Sequence, residues 1–295
     1  MPKVPKLRVF LRRGVPFALT AGLLWYFFAT TDLEAFKAAL KGADVPQFVT
    51  RLFVMAAVVL CWDGVCYAWL LRRFTAPTTW WEAVKLRGAS WLLNIVNYAA
   101  ASGGIAWLLK RRTGIPLLES GSSMLFISVL DLMVLSLFVT LGMLLDPPGI
   151  ADIKPALWMV TGGLYALYVG SCIYWNGGFD FFFLGRLRSW SIFSAFRRAT
   201  LQTHALLLAL RTAMLVVYVA MQYSALHLFG VEVPLGDVLV YNSIITLVGT
   251  LPISVAGLGT TQVVMLEVYS PYGTDAQILA YSTATIFVFM MVRAM

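Results

Sequence analysis

A chain of 295 residues that is 60% hydrophobic and 12% charged, with mean hydropathy +0.81, carries more apolar surface than a soluble fold of this size can bury. Long uninterrupted apolar runs point to a polytopic α-helical membrane protein and against a β-barrel, whose spans read as short alternating segments. The formal charge of +8 and pI near 9.5 do not signal nucleic acid, because Lys and Arg flank apolar runs instead of building a solvated basic domain.

In chain order, Lys3, Lys6, Arg8, Arg12 and Arg13 precede a first span over about 14–30. Its bulky continuation through Trp25, Tyr26, Phe27 and Phe28 reads as an uncleaved helix with a cytoplasmic N-terminus, not a signal peptide. A loop with Asp32, Glu34 and Asp44 against Lys37 and Lys41 suits the outer side. Span two, about 51–71, ends inside at Arg72 and Arg73. The stretch from Ala89 to Lys110 has Lys85 and Arg87 before it, Lys110, Arg111 and Arg112 after it, and Ser102-Gly103-Gly104 in its middle. Two basic ends and a small-residue centre predict a hairpin that enters and leaves on the same side. Span three, about 120–145, leads to the turn Asp146-Pro147-Pro148-Gly149, and span four covers 156–175. The segment 176–200 interleaves Arg186, Arg188, Arg197 and Arg198 with Phe181, Phe183 and Trp190, which predicts an amphipathic helix on the cytoplasmic face. Span five, about 206–228, precedes a loop with Glu232 and Asp237.

From Asn242 to Glu267 the chain is apolar but cut by Pro252, Gly257 and Gly259. Proline lacks the helical N–H and glycine is a weak helix former, so two half-helices meeting near the tip are expected, with a kinked full span as the alternative. Span six, 277–295, carries Arg293 near a cytoplasmic end. All but five of the 22 Lys and Arg (Lys37, Lys41, Arg51, Lys154 and Arg211) then lie on cytoplasmic segments, in keeping with the positive-inside rule.

The fold class expected is all-α, with about six spans and two re-entrant or broken hairpins in one integral membrane domain, residues 1–295. The order span, span, hairpin, span occurs twice, starting inside and then outside, so residues 1–146 and 147–295 form inverted halves. Inverted repeats with matching broken segments point to a transporter core in the cytoplasmic membrane, with both termini cytoplasmic.

Candidate chemistry follows from polar groups at membrane depth, which are costly there. Asp63 and Asp131 sit mid-span and Arg211 lies toward the cytoplasmic part of span five, as a pathway meeting a lipid phosphate or as an interhelical ion pair. At the hairpin tips, half-helix N-termini suit an anionic headgroup, aided by Asn94, Asn97, Ser102, Gly103 and Gly104 in the first. In the second, Asn242, Pro252, Ser254, Gly257, Gly259, Thr260, Thr261 and Gln262 shape the tip or satisfy broken backbone. Lys110, Arg111, Arg112, Arg197 and Arg198 would gather headgroups on the cytoplasmic face, or simply set topology. Cys61, Cys66 and Cys172 form no CxxC, and His204 and His227 are far apart, so no metal site or cofactor is expected. No hydrolase, Walker or dinucleotide motif stands out, so no catalytic residues are expected.

The Asn-containing first hairpin leading to Gly103-Gly104 and Lys110-Arg111-Arg112, the run Leu251-Pro252-Ile253-Ser254-Val255-Ala256-Gly257-Leu258-Gly259, and the late Arg293 resemble the lysylphosphatidylglycerol synthase transmembrane-region family, also described as flippase-like. The resemblance covers most of the chain. It implies translocation of a modified phospholipid, which in fused relatives is made by a cytosolic aminoacylating domain, or a role in polyprenol-linked glycan metabolism. The first hairpin departs from the family pattern, with Ala where relatives often carry Pro and Ile105-Ala106 where an acidic residue is common. The pattern also leads one to expect a further apolar segment after Met295. Three functions follow: a transporter of an anionic phospholipid or polyprenol-linked lipid, a noncatalytic membrane subunit scaffolding a lipid- or glycan-modifying enzyme, and an intramembrane transferase. Membrane lipids are the expected partners, with oligomeric state left open.

Overall fold

A long helix is the only way a lipid-exposed segment can satisfy its own backbone, and helices account for nearly all of the regular structure. The computed structural model describes residues 33–94, 98–177, 183–250 and 259–294. The helices are α1 (Leu33–Gly42), α2 (Val45–Phe74), α3 (Trp80–Asn94), α4 (Tyr98–Thr113), α5 (Leu117–Leu145) and α6 (Lys154–Asn176). They continue with α7 (Phe183–Arg188), α8 (Ser194–Arg198), α9 (Leu201–His227), α10 (Leu235–Thr250), α11 (Thr260–Tyr269) and α12 (Asp275–Ala294).

Five of them, α2, α5, α6, α9 and α12, are long and apolar enough to cross a membrane. They match spans two to six within a few residues at most ends, and the expected first span lies outside the described residues. The stretch before α2, expected as an outer loop, is itself largely helical, as α1, and packs on α12. The segment 176–200 includes two short helices, α7 and α8, with a 3-10 turn at Ser191–Phe193 between them. The break lets Phe193 and Phe196 reach the ring of Trp175, with centroids 5.3 and 6.4 Å away.

The remaining helices form two packed pairs of short elements. At about 1.5 Å per residue, α3 and α4 reach roughly 22–24 Å and α11 only about 15 Å, less than a hydrocarbon core of about 30 Å. Helices α3 and α4 pack on each other and bracket 95–97, while α10 and α11 pack on each other and bracket 251–258. The first pair therefore starts at Trp80, earlier than the expected Ala89. Ser102, Gly103 and Gly104 lie within the body of α4 and not at an interruption. The reason is packing. A Cβ on Gly104 would fall 2.2 Å from Leu93 Cδ1, so this glycine lets α4 press against α3 while remaining helical.

The pairs open at opposite ends of the bundle. One end carries Arg72, Arg73, Lys110, Arg111, Arg112, Arg186, Arg188, Arg197 and Arg198. It is tied by Thr75 Oγ1 to Ser123 Oγ at 2.7 Å, by the Ala195 N–H donating to Ser122 Oγ at 2.8 Å, and by Arg198 Nη1 donating to the Phe74 carbonyl at 3.2 Å. The α3–α4 pair opens there. The other end carries Asp44, Asp146, Asp152, Glu232, Asp237, Glu267 and Asp275, and there the α10–α11 pair opens.

Between these ends the apolar interior divides in two. One core joins Phe48, Leu52 and Met55 of α2 to Val134 and Val139 of α5, Leu215 and Val219 of α9, and residues of α10 and α12. The other joins Cys66, Leu70 and Leu71 of α2 to Ile127 and Leu130 of α5, Leu207 of α9, and α4 and α8.

Candidate functional site

On each of the three helices that run through both cores, the boundary falls at a charge. It is Asp63 between Met55 and Cys66 on α2, Asp131 between Leu130 and Val134 on α5, and Arg211 between Leu207 and Leu215 on α9. All three lie in the middle third of their helices. The charges meet. Arg211 forks onto Asp131, with Nε donating to Oδ1 and Nη2 to Oδ2 at 2.6 Å, while its Nη1 donates to Asp63 Oδ1. The second Asp63 oxygen accepts from Arg87 Nε at 2.6 Å.

The result is a chain Asp131–Arg211–Asp63–Arg87, alternating in sign and summing to zero formal charge. A planar guanidinium with a bidentate carboxylate is the geometry that makes such pairs strong, and pairing is what makes buried charge tolerable. Side-chain exposure is 4% for Arg211, 2% for Asp63 and 9% for Arg87, against 21% for Asp131. The chain is thus buried along most of its length, with Asp131 its most exposed member.

Neighbouring groups set the register. Trp62 Nε1 donates to the Leu210 carbonyl at 3.0 Å, tying α2 to α9 one residue from the Asp63–Arg211 pair. Trp80 Nε1 donates to the Cys61 carbonyl at 3.0 Å, tying α3 to α2. A Cβ on Gly64 would lie 2.3 Å from Val84 Cγ2, so the glycine beside Asp63 allows the approach that brings Arg87 within reach. The Arg87 guanidinium also lies over the Tyr67 ring, 5.2 Å from its centroid.

The helix α9 begins at Leu201, earlier than the expected 206, and Arg211 lies on the N-terminal side of its middle. One sequence expectation changes here. Arg87 is not a flanking topology residue. It is buried, 7% exposed, in mid-α3.

Several of the hairpin residues fall within the described helices. Asn94 ends α3, and Ser102 and Gly104 are half-buried in α4 with Gly103 exposed. Asn97, Pro252, Ser254 and Gly257 lie outside the described residues. Asn242 is buried in α10, and its Nδ2 has no hydrogen-bond partner among the described residues. Gly259, at φ 85°, is in a region that favours glycine, and it opens α11 with its N–H donating to buried Gln262 Oε1. Thr260 begins that helix. Among the described residues no hydrogen bond joins the charge chain to Ser102, Asn242, Thr260 or Gln262.

The basic residues Lys110, Arg111, Arg112, Arg197 and Arg198 are all exposed at one end of the bundle. Arg112 pairs with Glu82, Arg198 with Glu119 at 3.2 Å, and Arg197 donates to the Trp190 carbonyl at 2.9 Å. Arg111 lies over Trp107, 5.6 Å from its centroid. An open cleft of about 350 Å³ beside them is lined by Thr75, Thr78, Leu109, Arg112, Thr113 and Ile115. Among the described residues no group of three or more His, Cys, Asp or Glu is arranged to hold a metal ion.

Compared with known families, the chain matches the family model described as the lysylphosphatidylglycerol synthase TM region over residues 15–292. None of the curated proteins matches it.

Proposed function

The chain belongs to the lysylphosphatidylglycerol synthase transmembrane-region family of flippase-like, lipid-handling membrane proteins, and on that premise we propose that it moves an anionic lipid between leaflets. The observation that carries this reading is Arg211, a guanidinium held at mid-membrane between two apolar cores and opposite a part-buried carboxylate. A phosphate presents the same two-oxygen edge to guanidinium as a carboxylate does, so a lipid headgroup can replace Asp131 on Arg211 without leaving the arginine unpaired.

In this reading Lys110, Arg111, Arg112, Arg197 and Arg198 collect headgroups at the cytoplasmic surface. The α3–α4 and α10–α11 pairs are re-entrant hairpins of inverted halves, 1–146 and 147–295. Their tips, including Asn94, Asn97, Ser102, Asn242, Ser254 and Gln262, guide the headgroup from either side toward Arg211. The protein lies in the cytoplasmic membrane with its basic end, and both termini, on the cytoplasmic side. The lipid is a phospholipid or a polyprenol-linked lipid, and the chain itself performs no covalent chemistry.

The test is leaflet transfer of headgroup-labelled phosphatidylglycerol or a polyprenyl phosphate in liposomes containing purified protein. Wild type should transfer one of them, and Arg211→Lys, which keeps the charge but loses the planar fork, should transfer it at least tenfold more slowly. Equal rates would refute the assignment of Arg211.

A second reading has its own support. Helix α6 packs mainly on α5 and exposes Trp158, Met159, Leu167, Val169 and Ile173, an apolar lateral face suited to another membrane helix. A noncatalytic subunit docking a lipid- or glycan-modifying enzyme would use this face. Copurification of such an enzyme, lost in an α6 surface variant while leaflet transfer stays absent in wild type, would favour it.

A further inference from the structure

The cleft at the open end of the α3–α4 pair has a chemistry of its own, beyond the general pull of a basic surface. It holds about 350 Å³, near the lower end of the roughly 300–1,000 Å³ usual for small-molecule sites, which suits a headgroup and not acyl chains. Among the described residues its lining carries one charge, Arg112. That guanidinium meets Glu82 of α3 in an ion pair whose side chains stay 45% and 32% exposed. Exposed pairs are weak, and a phosphate offers a guanidinium a better edge. Glu82 does not depend on the pair, because its other oxygen accepts the Thr79 N–H at 2.8 Å in the cap that starts α3. Arg112 is therefore able to change partner without unwinding the helix.

The rest of the polar lining is hydroxyl, and its hydrogens are already committed. Buried Thr78 donates to the Ala76 carbonyl at 3.0 Å, and Thr113 donates to the Leu109 carbonyl at 2.8 Å. A hydroxyl has one hydrogen and two lone pairs, so Thr78 and Thr113 have acceptor oxygens left to offer. One of the Thr113 lone pairs takes the Ile115 N–H at 3.4 Å. One guanidinium beside acceptor oxygens fits a molecule with one anionic group and its own O–H donors. An ammonium would also donate, but Arg72 Nε donates to the Thr78 carbonyl at 2.6 Å and sets a second cation against this wall.

We propose that this cleft is a binding site for a phosphopolyol, with the phosphate on Arg112 and the polyol hydroxyls donating to Thr78 and Thr113. Ala76, Leu109 and Ile115 give its C–H surface an apolar wall. Glu82 is the competitor that holds Arg112 between ligands. A free glycerol phosphate and a phosphoglycerol lipid headgroup offer the same chemistry. For the lipid, the cleft is a fast-exchanging loading site ahead of Arg211, and that role, unlike the binding itself, rests on the lipid-transfer reading.

The experiment is ligand-observed NMR on the purified full chain in detergent, with glycerol 1-phosphate, ethanolamine phosphate and inorganic phosphate as probes. Glycerol phosphate should bind wild type about fivefold or more tightly than either comparator. Arg112→Gln should weaken it about tenfold, whereas Glu82→Gln, which removes the competitor, should tighten it about threefold. Opposite signs at the two ends of one ion pair distinguish a ligand site from a bridge that only holds α3 to α4. Thr78→Val should erase the preference for glycerol phosphate over inorganic phosphate, and Thr113→Val gives the same readout from α4 if Thr78→Val does not fold. Competition by short-chain phosphatidylglycerol assigns the site to the lipid, and binding without competition assigns it to the free phosphopolyol.

Equal affinity of wild type for glycerol phosphate and inorganic phosphate, or equal affinity of wild type and Arg112→Gln for glycerol phosphate, would overturn the site. Arg211→Lys should leave glycerol phosphate binding unchanged while slowing leaflet transfer. Glycerol phosphate bound through Arg112, with no leaflet transfer by wild type, would overturn the loading role together with the lipid-transfer reading and leave the binding site standing.

Discussion

The two short helix pairs solve the same problem by opposite means. The α3–α4 pair carries a charge, Arg87, into the interior and is fastened at mid-membrane to Asp63. The α10–α11 pair brings no charge to that depth. It is held near its open end by tyrosines, with Tyr241 edge-on to Tyr269 at 5.6 Å and donating to the Pro148 carbonyl, and Tyr272 donating to Asp237. Deeper in, it offers neutral Asn242 and Gln262. Both pairs dock on a spanning helix at a glycine: Gly64 admits Val84 of α3, and Gly142 of α5 admits Val240 of α10, where an added Cβ would sit 2.2 Å from a Val240 methyl. The difference teaches that, among the described residues, the first pair is locked electrostatically at its centre and the second by hydrogen bonds at its rim. In the proposed cycle, the second pair is therefore the one freer to shift without separating buried charges.

The largest effect should come from breaking the charge chain at its hub. Arg211→Met takes a partner from buried Asp63 and part-buried Asp131 and should destabilise the protein by about 3–5 kcal/mol, read as a lower Tm in detergent. Arg87→Met should do less, about 2–3 kcal/mol, because Asp63 keeps Arg211. An equal or greater loss at Arg87 would mean that the first pair, and not the hub, dominates.

Glycine contacts come next. Gly64→Ala and Gly142→Ala each force a methyl into a valine and should cost about 1–3 kcal/mol. Only Gly64→Ala should also weaken the Arg87–Asp63 bond, so the pair Gly64→Ala with Arg87→Met should fall short of additive. Gly142→Ala with Arg87→Met should add.

The smallest effect belongs to the surface at the opening of the first pair. The Thr79 N–H and hydroxyl, and then Arg112, hold the exposed Glu82 carboxyl below its ordinary value. A carboxyl depressed in the folded state stabilises above its unfolded value, and that contribution fades as pH falls through the folded one. Glu82→Gln should leave Tm at neutral pH nearly unchanged and slightly reduce its acid sensitivity.

Much of this architecture was legible in the sequence. Long apolar runs gave the five described spans because hydrocarbon thickness dictates their length, and Pro252 with Gly257 and Gly259 marked where α10 and α11 part. Asp63, Asp131 and Arg211 announced themselves as charges in apolar surroundings. Their mutual contact did not, since one-dimensional spacing says nothing about which helix faces meet.

Arg87 was hidden for a different reason. It stands in a stretch polar enough to pass for a cytoplasmic flank, although Thr79-x-x-Glu82 ahead of it is a capping-box pattern that starts a helix and carries Arg87 inward. The Ser102-Gly103-Gly104 run misled because glycine lowers helix propensity in water, whereas between packed membrane helices it permits close approach. Gly104 against Leu93 is that case.

The central claim is that Arg211 is the point where a lipid phosphate is held. Native mass spectrometry of the purified protein with added short-chain phosphatidylglycerol, comparing wild type, Arg211→Lys and the surface variant Arg111→Gln, addresses it most directly. The account predicts one strongly retained lipid on wild type and Arg111→Gln, and its loss on Arg211→Lys. Equal retention by wild type and Arg211→Lys, with loss on Arg111→Gln, would place the lipid at the basic end and contradict the account.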